Sequence, residues 1–80
     1  MLREDIMGRL QEIFQDLLDD DDFIIAEDMS RKTIKDWDSL FHMTLMATVS
    51  GEFNIQIKTE DITHINDVAG LVDLIQGLIG

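Results

Sequence analysis

The chain has 80 residues, 45% of them hydrophobic, with 17 acidic against 6 basic side chains and a formal net charge of −11. That length holds one domain, 1–80; the apolar content argues against disorder, and the charge argues against nucleic acid or an anionic membrane as partner. The lack of cysteine excludes disulfides, thiolate metal sites and a thiol nucleophile of the chain's own. No run approaches the length of a membrane span, and Met1-Leu2-Arg3-Glu4-Asp5 lacks the layout of a signal peptide. A soluble, cytoplasmic monomer is the expectation.

From residue 3 to 18, Ile6, Leu10, Ile13, Phe14 and Leu17 form one apolar stripe at spacings of three and four, which predicts a first helix. The adjacent carboxylates Asp19 to Asp22 stop it, since they repel one another at the negative end of its dipole. A long connection to residue 38 carries Phe23, Ile24, Ile25, Met29 and Ile34, enough apolar surface to fold back on the bundle. Asp38 is the natural cap of a second helix from Ser39 to Phe53, with Leu45, Met46, Val49 and Phe53 at helical spacing. The alternation Phe53-Asn54-Ile55-Gln56-Ile57 is extended, but nothing else offers to pair with it. Thr59 is expected to cap a short helical turn, and Asn66 the last helix, in which Val68, Leu71, Val72, Ile75 and Ile79 share a face. The fold class is therefore all-α, a four-helix bundle with three main helices and one short one.

Several sharper chemistries fail on spacing. Counted from Asp19, a calcium loop of EF-hand type needs glycine at its sixth position and glutamate at its twelfth, where the chain has Ile24 and Ser30. His42 and His64 match no metal-ligand pattern, and each reads as a surface or helix-flank residue. Ser39, His42 and Asp38 contain the residue types of a hydrolase triad, yet neighbours on one small helix cannot supply an oxyanion hole and a cleft. No metal and no catalytic residue is expected.

The triplet Asp38-Ser39-Leu40 opening an amphipathic helix resembles the attachment site of the acyl carrier protein family. The resemblance spans almost the whole chain: a first helix, a long loop, the triplet, Phe53 to Ile57 closing helix two, and a final segment through Ile75, all in the family's order. It implies that a phosphopantetheinyl transferase moves 4'-phosphopantetheine from coenzyme A onto Ser39. The protein would then carry acyl groups as thioesters between acyl-loading and acyl-processing enzymes, and it would not be an enzyme itself. It also implies that Asp38 helps the transferase place magnesium and the serine, and that Leu40 fills an apolar pocket on the partner.

Departures from the family narrow the expectation. Common fatty-acid carriers present several acids on helix two, whereas this chain has Phe41, Thr44, Thr48, Ser50 and Gly51 there, and Glu52 is the only acid from Ser39 to Phe53. Phe41, Met43, Thr44 and Ala47 then make a face read by shape more than by charge. Trp37 replaces a small residue before the Asp-Ser pair, as in stand-alone carriers of specialised pathways, and its ring would restrict how transferase and arm approach. Val49, Ile65, Leu71 and Ile75 stand where the family lines its acyl cavity. Leu71 is bulkier than usual there, which points to short or polar cargo. Rival readings are a peptidyl or aminoacyl carrier and an unmodified helical adaptor binding through helix two.

Overall fold

The structure is a computed structural model and describes residues 1–79; Gly80, the last residue of the expected domain, lies outside them. Among the described residues the order is α1 (Arg3–Leu18), α2 (Ser39–Phe53), α3 (Thr59–His64) and α4 (Val68–Ile79), with no strand beyond a single bridge between Ser30 and Asp67. The all-helical expectation holds, as do the bounds of α1 and α2.

The apolar stripe of α1 buries Ile6, Leu10, Ile13 and Phe14 against Leu45, Met46, Val49 and Phe53 of α2 and Val68, Leu71, Val72 and Ile75 of α4. α1 stops where Asp19 adopts a left-handed conformation (φ 53°) and the Asp20 N–H bonds back to the Gln15 carbonyl at 3.0 Å. α2 ends at Asn54, also left-handed (φ 53°), with the Ile55 N–H on the Ser50 carbonyl. Asparagine tolerates that conformation better than most residues with a Cβ, so it makes the stop.

Two capping expectations need correction. Thr59 is already inside α3, behind an extended Lys58 that gives no side-chain bond. Asp67, not Asn66, caps α4: its Oδ1 accepts the Gly70 N–H at 2.7 Å, while the Asn66 amide turns back to the His64 carbonyl. The next free N–H groups of α4 are met by the distant connection, Val68 on the Met29 carbonyl at 2.9 Å and Ala69 on the Glu27 carbonyl at 3.2 Å. The connection is thus bonded to the start of α4, and Ile25, Ile34 and Trp37 anchor it in the core.

Arg3 ties three segments together. Its Nη2 donates to Glu27 at 2.6 Å, and its Nη1 donates to Asp73 at 2.7 Å and to Gln76 at 2.9 Å. Hydrogen bonds from Arg3 hold the Glu27 carboxyl below the usual glutamate range. A carboxylate shifted down contributes stability that is complete above its unfolded value and is lost as pH falls through its folded value. The pair is partly exposed, so the effect is modest. Glu27→Gln is expected to lower the melting temperature by a few degrees at neutral pH, with the gap narrowing as acid protonates the carboxyl; an equal gap at neutral and acid pH would contradict the role of this pair.

Candidate functional site

Ser39 sits at the first position of α2 and is exposed. Asp38 precedes it in extended conformation, and its Oδ1 accepts the Phe41 N–H at 2.9 Å, while its carbonyl takes the His42 N–H at 2.9 Å. The cap fixes the first turn, which presents the Ser39 hydroxyl at the mouth of the helix, the positive end of its dipole. Asp38→Ala is expected to cost about 1 kcal/mol of stability, read by urea unfolding; a change within error would remove the cap from this account.

Past the serine, α2 is apolar on both sides. Leu45, Met46, Val49 and Phe53 face the core, while Leu40 (78% exposed) and Met43 (55% exposed) face solvent with Ala47 and Thr44. The hydroxyls of Thr44 and Thr48 donate back to the Leu40 and Thr44 carbonyls at 3.0 and 2.8 Å, which uses their donors inside the helix. Glu52 lies 3.7 Å from Arg9 of α1. The exposed strip is thus apolar and carries no acid, as the sequence suggested.

Two clefts flank it. One, of about 310 Å³, lies beside Ser39 and is lined by Leu17, Leu18, Asp36, Asp38, Leu40, Phe41 and Thr44. The other, of about 160 Å³, lies between α2 and α3 and is lined by Met43, Met46, Ala47, Ser50, Ile57 and Ile62. Reading the sequence missed Leu17, Leu18 and Asp36 as lining of the cleft at the start of α2. The Leu17-Leu18 doublet carries one more apolar side chain than the α1 stripe needs, and that was the available signal.

The structure corrects several assignments. Trp37 is only 2% exposed, so its ring is not a surface for a partner. It packs edge-on against Phe14, with centroids 5.5 Å apart, and its indole N–H donates to His42 Nδ1 at 2.9 Å. Phe41 is half-buried and packs edge-on against Phe14 at 5.7 Å, which turns its ring toward the core and away from the exposed face of α2. His42 is no flank residue, being 4% exposed within the cluster, whereas His64 is exposed. Val49, Leu71 and Ile75 are fully buried and Ile65 nearly so, but neither cleft uses them; they are packing residues of the bundle centre.

The fold is similar to that of the holo acyl carrier protein from Geobacter metallireducens, with a TM-score of 0.82 and 27% identity, covering 91% of this chain and 84% of that one. It is also similar to the acyl carrier protein from Thermotoga maritima, with a TM-score of 0.84 and 23% identity, covering 96% of this chain and 89% of that one. No protein-family model matches the chain. With four helices in the same order and Asp38-Ser39-Leu40 at the start of α2, the chain has the acyl carrier protein fold.

Proposed function

We propose that the protein carries acyl groups as thioesters on a 4'-phosphopantetheine arm attached to Ser39, with residues 1–80 forming one carrier domain. The observation that carries this reading is the exposed Ser39 hydroxyl, held by the Asp38 cap at the N-terminus of α2 in a bundle similar to a holo acyl carrier protein. The residues present fit such a group. A primary alcohol is accessible, and an apolar wall of Leu17, Leu40 and Phe41 lies beside it for the first part of an arm.

Attachment is a phosphodiester exchange. The Ser39 oxygen bonds to the phosphorus that bears pantetheine in coenzyme A, the pyrophosphate bond breaks, adenosine 3',5'-bisphosphate leaves, and the hydroxyl proton passes to a base of the transferase. Asp38 would orient the serine and help the transferase hold magnesium. When bound, the arm supplies the thiol that forms thioesters. Tethering then raises the effective concentration of cargo at a docked enzyme, while weak docking permits release.

Leu40, Met43, Thr44 and Ala47 form the docking strip. Its lack of acids favours partners that read shape, which fits a specialised biosynthetic pathway more than bulk fatty-acid synthesis. The unmodified adaptor uses the same strip and predicts partner binding indifferent to Ser39→Ala.

The experiment is a thiol titration. The chain has no cysteine and starts at zero thiol; incubation with coenzyme A, magnesium and a broad-specificity transferase, followed by desalting, is expected to give one thiol per chain. A titre still at zero, with a known carrier modified in parallel, would count against the reading.

A further inference from the structure

His42 is a buried, titratable side chain within the first turns of α2 that attachment at Ser39 does not use. Its two ring nitrogens join different parts of the chain. The Trp37 indole N–H donates to Nδ1 at 2.9 Å, and Nε2 lies 2.6 Å from the Ile62 carbonyl of α3. An indole nitrogen can only donate and a carbonyl can only accept. Nδ1 must therefore carry the lone pair and Nε2 the proton, so this arrangement requires neutral imidazole in one tautomer.

Little else holds α3. It has six residues, none buried, and no side-chain bond at its N-cap. Ile62 packs half-buried against the core and also walls the cleft it shares with Met43 and Met46. At the other end of the joint, Trp37 is the residue immediately before Asp38 and Ser39. One imidazole thus links the attachment segment to the wall of that cleft.

We propose that neutral His42 is a latch that clamps α3 and the Trp37 segment to α2, and that protonation of His42 releases both. A proton on Nδ1 would face the indole N–H, donor against donor, and break that bond. The charged ring would then have to leave its buried place for water, which withdraws the bond to Ile62. The surroundings offer it no bonded counter-charge. The Asp38 carboxylate accepts the Phe41 N–H, only its backbone carbonyl meets the His42 N–H, and the ring of Phe14 brings no charge from α1. On the preceding segment stand Lys35 and Asp36, and on α3 stand Glu60, Asp61 and His64, none of them hydrogen-bonded to the His42 ring; His64 Nδ1 is engaged with the Glu60 carbonyl. That the latch regulates access to Ser39 rests on the carrier reading; the latch itself does not.

The test uses the unmodified full-length chain, so a failed latch and a failed carrier assignment are distinguishable. Nitrogen-15 NMR at mildly alkaline pH should show the His42 Nε2–H tautomer and a slowly exchanging indole N–H from the sole tryptophan, and acidifying until the ring is protonated should shift both in one step. Over the same step the amides of Thr59 to His64 are expected to exchange about tenfold faster. His42→Gln, whose amide can accept from the indole and donate to the carbonyl, should keep α3 protected at both pH values, and His64→Gln should titrate like the parent. His42→Leu should lose protection at both; should it not fold, Trp37→Phe, which keeps an aromatic ring but removes the donor facing Nδ1, should loosen α3 already at the higher pH. An Nδ1–H tautomer in the parent, α3 exchange unchanged by pH, or a His42→Gln variant titrating like the parent would each overturn the latch.

Discussion

Ser39→Ala is expected to abolish acceptance of phosphopantetheine altogether while leaving the bundle intact. Only the Oγ is lost, and the Asp38 cap that starts α2 is independent of it. Alanine is a good helix former at an exposed first-turn position, so the change in stability should stay within about 0.5 kcal/mol. The other serines are poor substitutes. Ser50 gives its hydroxyl to the Ile55 carbonyl, and Ser30 Oγ accepts the Lys32 N–H in a turn. Loading assayed by mass, beside thermal unfolding of both proteins, separates the effects. A variant that loads as the parent does would move the attachment point elsewhere, and one that fails to fold would contradict the exposed geometry of Ser39.

Phe14→Ala is expected to have the largest effect on stability. The ring is fully buried and is the hub of the aromatic cluster, with centroids 5.8 Å from Phe23, 5.5 Å from Trp37 and 5.7 Å from Phe41. Truncating such a ring removes transfer free energy and leaves a cavity, a combined loss of about 3–5 kcal/mol. Set against a total of about 5–15 kcal/mol for an ordinary domain, that takes a large part of the stability of so short a chain. The cluster joins α1 to the connection and to the first turn of α2, so the loss should loosen the segment leading into Ser39 and shift the emission of Trp37. Urea unfolding measures it. A loss below about 1 kcal/mol would mean that the ring is not the hub its contacts indicate.

The elements most legible in the sequence were those whose signal is local. The stripe Ile6, Leu10, Ile13, Phe14 defined α1, and Asp38 ahead of Leu45, Met46, Val49 and Phe53 at helical spacing marked α2, because a cap and a periodicity need only near neighbours. The cap of α4 was misplaced by one residue. The distant Met29 and Glu27 carbonyls meet N–H groups there, and no local pattern encodes a bond across the fold. Trp37 shows the same limit at the site. Its position beside Ser39 suggested a surface ring, yet Phe14, Phe41 and His42 converge on it from two helices and bury it. His42 could have been found, since a histidine five residues after a tryptophan across a helix start can reach back to it. Leu40 and Met43 remain exposed because the core needs only the opposite face of α2, and an apolar helix face left in water points to a partner.

The central claim is attachment at Ser39, and the most direct measurement is intact-protein and peptide mass after incubation with coenzyme A, magnesium and a broad-specificity phosphopantetheinyl transferase. The account predicts a gain of one phosphopantetheinyl group, located on Ser39. No gain by the folded chain beside a carrier modified in parallel, or a gain located on another residue, would contradict it.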